Sequence, residues 1–183
     1  MLKLTVPASE YFDDRTQMFI NTPEQTLELE HSLYTISKWE SKWKKAFLKD
    51  QERTQEEMYD YIRCMIMTPN VDSSVFMTLL NNRELNKKIT DYINDKMSAT
   101  YLNNDGKKEV GGDVVTSELI YYWMVALQIP FECQHWHLNR LLTLIQVCNI
   151  KNNPNKKKMS KGDLLRRNAE LNAKRRAQYA SRR

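Results

Sequence analysis

The spacing of apolar residues changes once along this chain, near residue 50, and that change limits what the chain can fold into. Before it, two stretches alternate apolar with polar side chains. A period of two is typical of half-buried β-strands. The predicted strands lie within residues 1–48, at 2–6, 18–20 and 27–32, with 33–36 as an extension of the last.

From Thr54 onward, the apolar residues follow the helical period. Thr54 and Glu57 have the spacing of a capping box, in which two side chains bond free backbone N–H groups at the start of a helix. Strands this short need a surface to pack on, and the helices must supply it. We therefore predict an α+β, mainly helical fold with a small N-terminal antiparallel sheet packed on about five helices and a basic C-terminal extension. The predicted helices cover residues 54–68, 72–80, 85–97, 117–128 and 132–149.

Positive charge is concentrated at the C-terminal end. Residues 151–183 hold 12 Lys and Arg against Asp163 and Glu170, a formal charge of +10, whereas the rest of the chain stands at −5. We predict one globular domain over residues 1–150 and a basic, partly helical or disordered tail after it. Such a tail attracts an acidic partner, which is nucleic acid, an acidic protein face or a membrane surface. Residue chemistry alone does not choose among these.

The remaining composition predicts a soluble intracellular protein. The longest apolar run, residues 119–131, is interrupted by Gln128 and Pro130 and is too short to span a bilayer. Residues 1–20 lack the basic start and apolar stretch of a secretory signal. An odd number of widely spaced cysteines indicates reduced thiols and not a disulfide framework. The cysteines are Cys64, Cys133 and Cys148.

Cysteines and histidines near residue 135 have the residue types of a metal site but not its spacing. On a helix over residues 132–149, His135 and His137 would lie about 200° apart around the axis and would not face one ion. Helical metal ligands are three or four residues apart, and the sequence has no Cys-x-x-Cys pair. We predict no metal and no cofactor, and we interpret His137 as a partly buried, hydrogen-bonded residue.

Catalytic signatures are absent from the sequence, which has no nucleophile elbow, glycine-rich phosphate loop or His-Glu-x-x-His. We therefore predict a protein that is not an enzyme. The helix pair 117–128 and 132–149 has the arrangement of a DNA-binding helix-turn-helix. Its second helix is apolar, with Arg140 as its one strong cation, which favours a core helix over a recognition helix.

An aromatic cluster lies among lysines just before the change of period. Trp39, Trp43 and Phe47 are four residues apart, and Lys42 and Lys45 lie between them. Such a segment either stacks on nucleic-acid bases or packs strands against helices, with the lysine stems lying along the surface. We favour the packing interpretation.

Three stretches of the chain are distinctive when taken together. They are residues 32–43 (SLYTISKWESKW), 118–148 (ELIYYWMVALQIPFECQHWHLNRLLTLIQVC) and 166–178 (RRNAELNAKRRAQ). The most specific block is IPFE at residues 129–132, followed by WHLNRLL at residues 136–142. In combination, these stretches resemble small proteins that tailed bacteriophages encode among their structural genes, the tail assembly chaperones. The resemblance covers most of the chain.

This resemblance implies a role without catalysis. Tail assembly chaperones coat a long, helical, aggregation-prone tape-measure protein until tail-tube subunits assemble around it. We therefore expect a chaperone that binds the tape-measure protein or another tail protein through amphipathic helices, in the host cytoplasm and without a membrane partner. The alternative is a virion protein of the neck or tail, or a packaging-associated protein, whose basic tail binds nucleic acid.

Within the matching block, Trp136 and His137 are expected to define the fold, while Asn139 or Arg140 contacts a partner. The basic tail is expected to add charge attraction to an acidic client. The candidate partner-binding residues are Asn139, Arg140, Lys156, Lys157, Lys158, Arg166, Arg167, Lys174, Arg175 and Arg176.

Overall fold

The computed structural model describes residues 1–15, 17–49, 51–100, 114–152, 162, 165–166 and 168–172. It confirms the predicted fold class, because a small antiparallel sheet at the N-terminus is followed by a mainly helical remainder. The chain divides into two compact units, Met1–Asn149 and Ile150–Arg183. In the second unit, residues 165–166 and 168–172 are helical. Within the described ranges, no helix has the length and apolarity that a bilayer crossing requires.

The N-terminal strands form one long β-hairpin built from two antiparallel ladders. In the first ladder, β1 (Leu2–Val6) pairs with β4 (Gln25–Leu29), and in the second, β2 (Ser9–Asp13) pairs with β3 (Met18–Thr22). The second ladder is therefore nested between the strands of the first. The order along the chain makes β2 and β3 the outer end of the hairpin.

A pair of prolines divides this hairpin into a root and a tip. The register continues from the Val6–Gln25 pair to the Ser9–Thr22 pair without slippage. Each strand has a proline in the gap between the two ladders, and proline has no N–H to donate. We call β1 with β4 the hairpin root, and β2 with β3 the hairpin tip.

The hairpin root packs on the helices through one face. Alternate residues of both strands are buried, as the period of two predicts. The buried apolar residues of the root are Leu4, Val6, Leu27 and Leu29. The outer edge of β4 is covered too, because Glu30 N–H donates to Met65 O and Met67 N–H donates to Glu28 O, both at 2.8 Å. The root is thus held on the helical body by backbone as well as side chains.

The segment after the hairpin is a helix, so the prediction of strands throughout residues 1–48, including the strand extension, is wrong for this part. α1 spans Leu33–Trp43. The Ser32 side chain accepts a hydrogen bond from Thr35 N–H, and the Thr35 side chain accepts one from Ser32 N–H. This capping box fixes the first turn of the helix and stops the alternation of β4. α1 ends at Lys44, which adopts a left-handed conformation with φ 54°.

The helices after residue 54 lie close to their predicted positions, apart from the last. They are α2 (Gln55–Met65), α3 (Ser73–Asn81), α4 (Arg83–Asn94), α5 (Ser117–Ala126) and α6 (Leu138–Asn152). The predicted capping box of Thr54 and Glu57 is confirmed at the start of α2.

A single helix over residues 132–149 is the second wrong prediction. A short 3-10 turn, Phe131–His135, follows Pro130 and is separate from α6. Trp136 then takes extended backbone angles (φ −70°, ψ 156°), and His137 forms a β-bridge with Ser32. The helix begins only after this bridge, because the bridge requires extended backbone at residue 137.

Two tryptophan hydrogen bonds, about one helical turn apart, join α1 to α2. The Trp39 indole N–H donates to Glu57 O, and the Trp43 indole N–H donates to Asp60 Oδ2, both at 2.9 Å. Two lysines of the same segment form ion pairs with these acidic residues. Trp39 is fully buried and Phe47 nearly so, which confirms that the cluster packs in the core. The tryptophans join α1 to α2, however, and the prediction that the cluster packs strands against helices is wrong in this respect.

Candidate protein-binding surface

One buried carboxylate sets the position of α5. Glu40 of α1 accepts hydrogen bonds from Phe47 N–H at 2.7 Å and from Ser117 N–H at 2.8 Å. Thr116 caps the helix, because its hydroxyl accepts from Leu119 N–H at 3.3 Å. The carboxylate thus bonds a free N–H at the helix N-terminus, where the helix dipole favours negative charge. The N-terminal end of α5 is therefore held on α1.

The outward side of α5 is apolar. Ile120 and Met124 of the helix are fully buried, whereas Tyr122 is 65% exposed and Val125 is 59% exposed. Phe131 of the 3-10 turn is 54% exposed, and its ring centroid lies 6.3 Å from that of Tyr121. We call the surface formed by Tyr121, Tyr122, Val125 and Phe131 the α5 face.

The segment that carries the α5 face has little charge of its own. Residues 114–135, all of them described, include two Asp, Glu, Lys or Arg residues, and these are Glu118 and Glu132. Both are exposed. Within this segment, apolar side chains are accompanied by two carboxylates, which favours a partner that offers apolar and basic side chains together.

All three histidines of the sequence lie at or in contact with residues 30–32. His135 Nδ1 lies 3.0 Å from Glu30 Oε1, and the Ser32 hydroxyl donates to the same oxygen at 2.5 Å. His31 Nδ1 is hydrogen-bonded to the hydroxyl of Tyr61, and its ring centroid is 5.0 Å from that of His137. These contacts hold the extended link between the 3-10 turn and α6 against the start of α1.

The histidine cluster joins separate parts of the chain through hydrogen bonds. Ser32 is fully buried and caps α1, and His135 contacts Glu30 and not the serine hydroxyl. His137 Nε2 donates to Tyr92 O at 2.8 Å, while its Nδ1 accepts from Asn139 N–H. In the part of the chain that the structure describes, no group of three His, Cys, Asp or Glu side chains is placed to hold a metal ion.

His137 is buried and hydrogen-bonded, as predicted. The geometric reason given against a shared ion was wrong, however, because His135 and His137 are not on one helix. His135 ends the 3-10 turn and His137 is extended. What separates them is their hydrogen bonds to Glu30 and Tyr92, which direct the two rings to different partners.

The buried histidines predict that acid destabilises the fold. Burial lowers the pKa of His31 to about 3, and the nearby His137 adds to this effect. Burial also lowers the pKa of His137. In the unfolded chain both imidazoles titrate near 6.5, so below that pH the unfolded state binds protons that the folded state does not. We expect the free energy of unfolding to fall as the pH drops from about 6.5 towards 3, by up to about 1.4 kcal/mol per pH unit for His31. The lowered pKa of His137 acts in the same direction.

Urea unfolding followed by circular dichroism between about pH 7 and pH 5 measures this effect before most carboxylates titrate. The variant His31→Gln cannot take up the proton, so its stability should change less with pH in this window. If the free energy of unfolding changed equally with pH in wild type and in the variant, His31 would not be the cause of the pH dependence.

Three of the predicted partner-binding residues, Asn139, Arg140 and Arg166, lie in the part of the chain that the structure describes. Asn139 donates its amide hydrogens to Ile93 O at 3.1 Å and Asp95 O at 2.7 Å, so it caps the C-terminal end of α4. Arg140 is exposed, with its guanidinium carbon 4.1 Å from the centroid of the Trp136 ring. Arg166 is exposed in the second compact unit. The predicted residues that lie outside the described ranges are Lys156, Lys157, Lys158, Arg167, Lys174, Arg175 and Arg176.

The exposed residues of the α5 face were not among the predicted site residues. Their signal in the sequence is the run Tyr121-Tyr122-Trp123 in a helix that is apolar on every side. Such a helix is either fully buried or has an exposed apolar face that contacts a partner.

No protein-family model matches this chain, and comparison with curated proteins and with solved structures finds no match.

Proposed function

We propose that this chain is a tail assembly chaperone of a tailed bacteriophage, which binds the tape-measure protein in the host cytoplasm through protein–protein contacts and without catalysis. The observation that carries the proposal is the α5 face. It lies inside residues 118–148, the longest of the three stretches on which the resemblance rests. A chaperone for a helical, aggregation-prone client needs an apolar surface of this kind, exposed before the client binds.

The chemistry of the α5 face fits a helical client. Tyr121 and Tyr122 offer large rings with few rotatable bonds, and tyrosine is enriched among residues that dominate binding energy at interfaces. Val125 and Phe131 extend the apolar surface by about one helical turn and across the following turn. Glu118 and Glu132 can pair with basic residues of the client, which favours one orientation of the bound helix.

The block IPFE…WHLNRLL divides into residues that support this surface and residues that display it. Ile129, His137 and Leu138 are buried, and Asn139 ties the start of α6 to α4. Phe131, in the same block, is exposed. The block therefore positions an aromatic side chain at the surface from a rigid support, and a rigid support lowers the entropy cost of binding.

Co-expression with the tape-measure protein of the phage that encodes this chain tests the proposal. We expect a soluble complex of the two proteins. The double variant Tyr122→Ser, Phe131→Ser should reduce the soluble client by about tenfold or more, because it removes the two exposed aromatic side chains of the α5 face. The matched control is Met58→Ser on α2, since Met58 is 51% exposed, close to the value for Phe131, and lies on another helix. That control should keep the client soluble.

An insoluble client beside free wild-type chain would contradict the chaperone role. Equal loss of client in the double variant and in Met58→Ser would instead contradict the assignment to the α5 face. Circular dichroism of each purified variant shows whether a loss arises from unfolding.

The charge of residues 151–183 favours a second candidate function, a virion or packaging-associated protein that binds nucleic acid. This candidate predicts DNA or RNA binding that weakens steeply with salt and disappears when residues 151–183 are deleted. It also predicts that the chain is present in purified virions, whereas an assembly chaperone is absent from them. Binding that is weak and equal for intact and shortened chains would exclude it.

A further inference from the structure

The hairpin root has an edge that is not covered by the helical body. On the outer side of β4, Glu30 N–H donates to Met65 O and Met67 N–H donates to Glu28 O, so the segment after α2 covers that side. Among the residues that the structure describes, none outside β4 forms a backbone hydrogen bond with β1. β1 is therefore an edge strand, and the unpaired backbone groups of an edge strand are a template for another strand.

The hydrogen bonds of β4 show which backbone groups of β1 point to this edge. Successive residues of an antiparallel strand direct their N–H and C=O groups alternately to its two sides. Glu28 bonds away from β1, so its neighbour Leu27 bonds towards β1, where its register partner is Leu4. Lys3 and Thr5, on either side of Leu4, therefore direct their N–H and C=O groups to the outer edge.

This outward row of donors ends at a proline. Pro7 is the next residue of the row, and proline has no N–H. The outer edge of β1 thus offers two N–H donors, those of Lys3 and Thr5. A strand that pairs with this edge forms the most hydrogen bonds when it carries two donors at the same spacing, and β1 of a second copy carries them.

Antiparallel pairing of two β1 strands satisfies both donors in a single register. When Leu4 of each copy lies on a two-fold axis, Lys3 of one copy stands opposite Thr5 of the other. Each such pair exchanges two N–H···O bonds, and the axis generates an equivalent second pair. The contact is isologous, because both copies use the same surface, and two-fold dimers are the commonest oligomers.

The side chains of β1 are compatible with this register. Lys3 Nζ lies 2.7 Å from Glu28 Oε1 of its own copy, and the residue opposite Lys3 is an uncharged threonine, so no like charges stand directly opposite each other. Met1 and Pro7 are both exposed, and the register places Met1 of one copy opposite Pro7 of the other. Leu4 is buried and stays in the core of its own copy.

We propose that β1 pairs with β1 of a second copy, so that two hairpin roots form one continuous antiparallel sheet across a two-fold axis. The contact uses neither the α5 face nor the basic C-terminal segment, and it does not depend on the proposed function. Backbone hydrogen bonds carry it, and ion pairs do not. Dimerisation is therefore concentration-dependent and changes little with salt.

Sedimentation of the nuclease-treated, full-length chain at increasing concentration tests this pairing. Thr5→Pro removes an outward N–H, which an edge strand tolerates, and keeps the bonds of β1 to β4. Thr5→Val is the matched control, because it loses the same hydroxyl but keeps the N–H and the strand propensity. We expect wild type and Thr5→Val to dimerise equally. Thr5→Pro should dimerise about tenfold or more weakly, since each dimer loses two backbone hydrogen bonds.

Disulfide trapping measures the register without a proline variant. Lys3→Cys chains are mixed with Thr5→Cys chains under mild oxidation, and the linked peptides are identified by mass spectrometry. In the proposed register, position 3 of one copy and position 5 of the other have Cα atoms about 5.5 Å apart, which a disulfide can bridge. The two copies of position 3 are diagonal neighbours, about 7–8 Å apart, and so are the two copies of position 5. We expect the mixed 3–5 disulfide to be the main product.

Several results would overturn the proposal. They are a wild type that stays monomeric, a Thr5→Pro variant that dimerises as strongly as Thr5→Val, and 3–3 or 5–5 disulfides that exceed the mixed product. Dimers that dissociate in high salt would also overturn it and point to the basic C-terminal segment. Tyr122→Ser should dimerise like wild type, so loss of the dimer in that variant would contradict the proposal and point to the α5 face.

Discussion

Replacing Trp39 with alanine is expected to lower the free energy of unfolding by about 4 kcal/mol. Trp39 is fully buried, its indole N–H donates to Glu57 O at 2.9 Å, and its ring packs edge-to-face on Phe47 at 5.2 Å. The substitution creates a large cavity between α1 and α2 and leaves the Glu57 carbonyl without this donor. Because domains of this size are stable by only about 5–15 kcal/mol, the variant should be near the limit of folding. Urea unfolding followed by circular dichroism measures the loss.

Trp43→Ala is the control for this prediction. Trp43 lies one turn further along α1 and makes the equivalent hydrogen bond to Asp60, but it is only partly buried. Replacing Trp43 should therefore lower the free energy of unfolding by about half as much, since less apolar area is removed from the core. Equal losses for the two variants would contradict the view that burial of Trp39 holds α1 on α2.

Glu40→Ala is expected to have an effect of similar size, also about 4 kcal/mol, for a different reason. The Glu40 carboxylate accepts from the backbone N–H groups of Phe47 and Ser117, and the residue is buried. Alanine leaves both N–H groups inside the protein without an acceptor, and each unsatisfied group costs about 1–3 kcal/mol. The same unfolding measurement applies, and loss of order should be greatest at the start of α5.

Glu56→Ala gives the matched comparison for Glu40→Ala. Glu56 is exposed in the first turn of α2, where its charge is favoured by the helix dipole. Its removal should cost less than about 1 kcal/mol. If the two substitutions destabilised the protein equally, the two buried hydrogen bonds of Glu40 would not be the cause.

Local signals in the sequence predict helix ends when adjacent side chains set them. The spacing of Thr54 and Glu57 predicts the start of α2, and the structure confirms it. α1 has an equivalent box at Ser32 and Thr35, but threonine replaces the usual acidic or amide residue at its second position. The alternation of residues 27–32 continues up to that box, and for this reason the sequence favoured a longer strand.

The histidine cluster could not be predicted from local patterns, because its residues come together only through the fold. Glu30 and His135 are 105 residues apart in the sequence, and the bridge between Ser32 and His137 brings them together. That bridge also interrupts the predicted helix over residues 132–149. A hydrophobic period cannot reveal such a break, since the residues on both sides keep their apolar character.

The α5 face shows a second limit of sequence patterns. Periodicity predicts that α5 is a helix, but an apolar helix has no polar side to mark its outward face. The fold buries Ile120 and Met124 and leaves Tyr122 and Val125 exposed. The hairpin tip is similar, because Phe12 and Phe19 become a pair only through the register of β2 and β3.

The proposed function requires that the α5 face contacts the client directly, and site-specific photo-crosslinking measures this contact. A benzophenone amino acid is placed at Phe131 in one variant and at Met58 in another, and each is co-expressed with the tape-measure protein. The two positions have similar exposure, 54% and 51%, so solvent access alone does not distinguish them. We predict a crosslinked adduct with the client from position 131 and none from position 58. Adducts from position 58 without any from position 131 would contradict the account.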